Sequence, residues 1–394
     1  MPPSQKNLQP KLFQEKTMKS FKFGHASATN WQQAIQGCLN QIGPLAPSDF
    51  DNTHLGFIYI TDIFASHVPN ILEYVRQHTN ILHWVGTVGT GICSCTQEYF
   101  EVPAIAIMIG EFPEESFAVF DTISEDFEDF IQTHQSWCDS KQAMLSIVHG
   151  DPRNNHIISL IYQMSERLGE GFLVGGLTSS RHQYFQIADK VTEGGLSGVI
   201  FSSAVNVTTR LTQGCAAIGP CHQITESSNN VIVRIDDRPA LDVFKEDIGP
   251  ELSNDLNQVA GLIFAALPIR GSDTGDYLVR NLVGIDPERK LLAIGETVNP
   301  GTSIMFTRRD AKTAREDLIK MLNVLKKRLN GQTPKGALYY SCMGRGENLF
   351  GKDSQELKTI QSVLGDFPVV GFFANGEIYY QRLYGYTGIL TFFL

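Results

Sequence analysis

Basic charge is scarce in this chain. Against 42 Asp and Glu there are 32 Lys and Arg, which leaves a net charge of −10 over 394 residues. Phosphate neutralisation needs a basic surface, so a nucleic-acid partner is not expected. The densest basic run, Lys326-Lys327-Arg328, falls at the end of an expected helix, where cations offset the helix dipole. Long apolar runs are missing as well. No stretch approaches about 18 consecutive apolar residues, so no membrane insertion is expected. Residues 1–20 are polar, carry Pro2, Pro3 and Pro10, and lack the apolar centre of a secretion signal; they read as a flexible tail.

Cysteine is sparse and odd in number. Seven cysteines scattered over the chain suit free thiols in a reducing compartment, so the cytoplasm is the expected location. Cys93 and Cys95 form only a C-x-C pair, and Cys215 and Cys221 stand six apart. Neither offers the paired hooks of a zinc site, so no metal is expected. Gly86-Thr87-Val88-Gly89-Thr90-Gly91 has neither the Lys and Ser/Thr order of a P-loop nor the dinucleotide spacing, and no cofactor is expected.

What is present is an ordinary globular composition, 42% hydrophobic and 19% charged, in a chain long enough for two domains. Helical spacing is clear over Trp31–Ile42 (with Thr29 as N-cap), after Asp151-Pro152 and between Asp310 and Gly331. Asp353 and Glu356 suggest a capping box for a further helix ending at Gly365. Short β-rich runs predict strands at Leu55–Thr61, Ala104–Ile109, Met144–His149, Phe172–Val174, Gly198–Ser202, Val231–Ile235, Leu291–Gly295, Ser303–Phe306, Ala337–Tyr340, Val369–Phe373 and Gly388–Phe393. The interleaving of the two kinds predicts a mixed α/β (α+β) fold, with two domains of mixed β-sheets flanked by helices.

A pattern recurs three times: strand, polar loop, helix, then a second strand entering a glycine turn. The copies start at Leu55, Met144 and Ala337 and reach Gly86, Gly175 and Gly371 about 31 to 34 residues later. Each has the length of one β-α-β unit. Loops after the first strand and turns after the second then lie at the same strand ends, where such sheets gather ligands.

The third copy holds the best candidates for chemistry. Ser341-Cys342-Met343-Gly344-Arg345-Gly346 can turn backbone amides inward around a guanidinium, which suits a carboxylate or phosphate, or the glycines can simply make a turn while Arg345 pairs with an acid. Asn375-Gly376 is a tight-turn dipeptide with Glu377 at a strand start, able to pair with Arg345, to hold a ligand ammonium, or to stand solvated on a hairpin. Cys342 sits at a strand end, but no base is identifiable beside it, and no catalytic residue is assigned.

These segments resemble, in order, the FIST family. Phe23-Gly24-His25-Ala26-Ser27, the Val85–Gly91 turn and Gly175-Gly176 are similar to the FIST N domain, although the first turn lacks the acid that relatives often carry. Val233–Phe244 resembles the acidic-Gly-Arg-Pro-Ala-Leu signature, with Asp237 in place of the glycine. Ser341–Gly346 and Gly371–Glu377 are similar to the ends of the FIST C domain. The resemblance implies a FIST N-like domain over 21–233, a FIST C-like domain over 234–394, and a standalone sensory protein inside the cell. The chemistry of the two facing loops adds that its ligand would be small and amino-acid-like or another small carboxylate, bound by Ser341, Cys342, Gly344, Arg345, Gly346, Asn375, Gly376 and Glu377. Output would pass through an unidentified protein partner. A protein-interaction scaffold, or a Cys342-dependent hydrolase or acyl transferase, stands as the alternative.

Overall fold

The computed structural model describes residues 20–45, 53–269 and 276–394, so of the expected N-terminal tail only Ser20 is described. Every strand expected from the sequence forms, most of them a residue or two longer. The fold is mixed α/β, with mixed sheets flanked by helices.

The threefold pattern is an architectural repeat. In the first unit (22–111), strands Lys22–Ser27, Ala104–Glu111, His54–Thr61 and His83–Gly89 lie side by side in that order. The second unit (117–202) repeats it with Phe117–Ile123, Leu196–Ser202, Ala143–Gly150 and Phe172–Leu177. The third uses Val207–Thr212, Gly388–Phe393, Gly336–Cys342 and Val369–Ala374. In each, the last two strands are parallel and joined through a helix.

Hairpins tie the units into a ring. The hairpin after His83–Gly89, made of Gly91–Ser94 and Gln97–Phe100, pairs with Val369–Ala374 of the third unit. Gln186–Ala188 and Lys190–Thr192, from the second unit, join the first through His83–Gly89. Glu377–Tyr379 and Arg382–Tyr384, from the third, join the second through Phe172–Leu177. Each sheet is therefore completed by its neighbour.

One glycine per unit permits this. A Cβ on Gly86 would stand 1.7 Å from the Ile58 carbonyl oxygen, on Gly175 1.9 Å from that of Val148, and on Gly371 1.7 Å from that of Tyr339. Aligning the units on these glycines makes Tyr59, His149 and Tyr340 equivalent, and their rings form a nearly regular triangle with centroids 5.7, 6.1 and 6.1 Å apart. This triangle marks the pseudo-threefold axis. It is closed by Tyr59 Oη, 2.9 Å from Tyr340 Oη and 3.3 Å from His149 Nε2.

The third unit is interrupted after Val207–Thr212 by residues 216–308. They form a separate seven-stranded sheet with helix Ala240–Ser253 and a core of their own around Ile232, Phe244, Leu292 and Phe306.

Three local expectations change. The Trp31–Ile42 helix is capped by Asn30, whose side chain accepts from Gln33 N at 2.9 Å, rather than by Thr29. Asp151-Pro152 does not open a helix; Ile157–Arg167 starts later, because Asp151 is engaged by Arg153 and by the Gly194 amide. Asp353 and Glu356 form no capping box, because Glu356 turns inward to an arginine.

Candidate functional site

The ends of the parallel strands place three equivalent loops around the axis. In the first two, an acid is closed off by an arginine. Asp62 accepts from Arg181 Nε at 3.0 Å, Arg181 Nη2 at 3.0 Å and the Arg181 amide at 2.9 Å. Burial opposes its ionisation, yet the Arg181 bonds outweigh burial and hold the carboxyl below the usual range. Asp151 is treated likewise by Arg153, at 2.6 Å from Nη2, and by the Gly194 amide at 2.9 Å.

The third loop is built differently. Arg345 is fully buried, and its guanidinium is committed to Glu356, with Nε 2.8 Å and Nη2 2.6 Å from Oε1. Glu356 is also fully buried. It accepts from Tyr339 Oη at 2.6 Å, from the Gly346 amide at 2.7 Å and from Ser341 Oγ at 3.3 Å. Burial disfavours the Arg345 charge, but Glu356 overcomes it and raises the guanidinium above its ordinary value. The pairing of Arg345 with Glu377 that the sequence allows is thus replaced by pairing with Glu356.

In front of this pair runs a polar row. Ser341 pairs with Gly388 and Thr212 with Gly388, so one residue further the register sets Cys342, Thr387 and Gln213 side by side. They share a face with Tyr340, Ile389 and Leu211, two residues deeper in the core. Cys342 N donates to Thr387 O at 2.9 Å. Glu377, fully buried, accepts from the Thr387 amide at 3.0 Å and from Thr387 Oγ1 at 2.8 Å.

Several polar atoms here have no hydrogen-bonded N–H, O–H or carbonyl partner among the described residues. They include Glu377 Oε1, whose carboxyl stands beside the Cys342 thiol, both amide atoms of Gln213 (7% exposed) and Nε of Arg309. Burying such groups unpaired costs about 1–3 kcal/mol each. Burial pushes the Glu377 carboxyl up to about 8, so it is mostly protonated at neutral pH. Cys342 lies beside both Glu377 and Arg309; burial first, then Glu377, pushes its thiol up to about 12, which leaves little thiolate for nucleophilic attack. Arg309 donates to the Gly344 carbonyl and stacks over the Tyr386 ring, 5.0 Å from its centroid.

The loops expected to face each other do so: Met343 N donates to Ala374 O at 3.0 Å. Asn375 is exposed, while Cys342, Gly344 and Gly376 are half-buried. Asn375-Gly376 does not close a hairpin between its flanking strands. Gly376 turns with φ 124° and sends Glu377–Tyr379 to the neighbouring sheet. Sequence reading missed Glu356, Gln213, Arg309 and Thr387. Glu356 was legible only as a cap, Gln213 and Arg309 lie far from the loops in sequence, and Thr387, ten residues past Glu377, carries no signal of its own. Two clefts, of about 690 and 470 Å³, lie elsewhere, one beside Cys138 and Arg167 and the other beside Phe21 and Ile360.

Comparison with known proteins supplies the family. The FIST N domain matches residues 54–238 and the FIST C domain residues 240–380. This chain belongs to the FIST family. FIST domains are associated with sensing in signal transduction. The junction between the two matches falls inside the inserted sheet, and the third core sheet combines strands from both. An uncharacterized protein of Mycobacterium tuberculosis is 29% identical over 347 residues, covering 82% of this chain and 87% of its own length. An uncharacterized protein of Mycobacterium bovis is 27% identical over 353 residues, covering 84% and 88%.

Proposed function

We propose that this FIST protein is a cytoplasmic small-ligand sensor that binds an amino acid or another small carboxylate at the third loop and signals through a protein partner. The observation that carries this reading is a cluster of polar atoms left over at the third loop. Each loop has an acid closed off by an arginine (Asp62 by Arg181, Asp151 by Arg153, Glu356 by Arg345), and beyond these pairs Glu377, Gln213 and Arg309 keep polar atoms without an N–H, O–H or carbonyl partner in one neighbourhood. A carboxylate suits the Arg309 guanidinium and the Gln213 amide, and an ammonium suits Glu377. Cys342, Gly344, Asn375 and Gly376 line the approach. Ser341, Arg345 and Gly346 support the loop from behind through Glu356.

Sensing needs a ligand that favours one conformation by about 1–3 kcal/mol, within reach of a few such bonds. The test is a thermal-shift screen of the full chain against the amino acids and small carboxylates. Stabilisation by at least one of them, lost in both Glu377→Gln and Gln213→Leu, is expected. Stabilisation that survives both substitutions would remove this site.

A further inference from the structure

Residues 216–308 leave and rejoin the core beside the third loop. The outgoing connection is Gln213–Cys215 and the returning one Arg309, and they lie side by side because Ala216 pairs with Arg308. Both touch the loop. A Cβ on Gly214 would come within 2.4 Å of Arg345 Nη1, and Arg309 donates to the Gly344 carbonyl.

Tyr386 bridges the loop and the inserted sheet. Its ring packs on Phe264 at 4.7 Å, and its hydroxyl donates to Asn281 Oδ1 at 2.5 Å. Its carbonyl accepts from Arg345 Nη1 at 3.4 Å, and the next residue, Thr387, donates twice to Glu377. Tyr386 holds φ 68°, a left-handed conformation costly for a bulky side chain, so its backbone is set by these anchors rather than by preference.

We infer that Tyr386 couples occupancy of the third loop to the inserted sheet, which makes that sheet the part that reports the ligand to a partner. The inference rests on the ligand reading above. A group binding Glu377 at Oε1 reorients the same carboxyl that Thr387 holds through Oε2. A shift of Thr387 must move Tyr386, and Tyr386 is fastened to Phe264 and Asn281 of the insert. Two anchors on each side make the movement concerted instead of local.

Amide hydrogen exchange of the full chain tests this, read over Tyr277–Asp286 of the insert, with glycine and acetate as probes. Thr387→Val, without any probe, is expected to change exchange there by about five-fold or more. Unchanged exchange overturns the coupling whatever the ligand. With a probe that stabilises the wild type, Tyr386→Leu is expected to keep binding but lose the exchange response in the insert. Tyr386→Phe, which keeps the ring and loses only the Asn281 bond, should weaken that response. A full response in Tyr386→Leu overturns the coupling while leaving the ligand site intact. Failure of both probes and of every other amino acid and small carboxylate to stabilise the wild type removes the ligand reading itself, and the inference with it.

Discussion

Arg345 and Glu356 neutralise each other in the interior, with both guanidinium contacts to Oε1 under 3 Å and neither side chain exposed. A charge pair of this kind is a poor ligand anchor, because a ligand carboxylate would have to displace Glu356 into a buried position with no counter-ion. The Tyr339 hydroxyl, Ser341 hydroxyl and Gly346 amide complete the shell of Glu356, so the pair fixes the shape of the third loop.

Removing one partner should therefore act on stability. Glu356→Ala or Arg345→Ala leaves the other charge buried and is expected to cost about 3–5 kcal/mol. Urea denaturation measures this. A variant at either position with wild-type stability would contradict the assigned role.

The repeat glycines give a second test. Ala at Gly86, Gly175 or Gly371 places a Cβ within 2 Å of a carbonyl oxygen of the neighbouring parallel strand. Each substitution should destabilise by roughly 3 kcal/mol or more through forced backbone displacement. Equal and severe losses at all three, seen in thermal melts, would match the equivalence of the units.

His149 predicts an acid-side slope. Burial lowers its imidazole from 6.5 to about 3, so the folded protein keeps it neutral while the unfolded chain binds a proton. Its contribution is fully present above pH 6.5 and is lost as pH falls toward 3. His149→Phe should flatten stability against pH in that window relative to wild type.

Glu377 and Glu98 predict the opposite slope. Burial raises both carboxyls from 4.5 to about 8, and for Glu98 the neighbouring Glu356 adds to it. The folded state then holds protons that the unfolded chain releases, so stability is fullest below pH 4.5 and declines as pH rises to 8. Glu377→Gln and Glu98→Gln should each remove part of that decline, on the order of 1–3 kcal/mol between pH 5 and 8. Denaturation midpoints at the two pH values decide it.

Much of the fold was legible because it is written in local signals. The strands Val231–Ile235 and Gly388–Phe393 have their observed bounds in the β-rich runs themselves, and Gly86, Gly175 and Gly371 announce the repeat by falling 31 to 34 residues after Leu55, Met144 and Ala337. The hairpin exchange was not legible, since pairing of Gly91–Ser94 with Val370–Phe372 joins residues nearly 280 positions apart and leaves no local trace. One long strand of the insert was missed for a related reason. Ala216–Ser228 is largely exposed and polar, so it lacks the alternation that marks a half-buried strand. In the site, Arg345 and Glu377 were visible as residue types, but their partners Glu356 and Thr387, 11 and 10 residues away, are chosen by how the intervening chain folds back, which residue type and spacing do not announce.

The most direct test of the central claim is calorimetric titration of the wild type and Glu377→Gln at pH 7, with amino acids and with small carboxylates lacking an ammonium, in two buffers of different ionisation enthalpy. An ammonium placed beside Glu377 favours its ionised form. Amino-acid binding should therefore release a proton and give a buffer-dependent heat. That dependence should be absent for the simple carboxylates and lost in Glu377→Gln. Binding with the same proton balance in wild type and Glu377→Gln, or no binding by any of these compounds, would contradict the account.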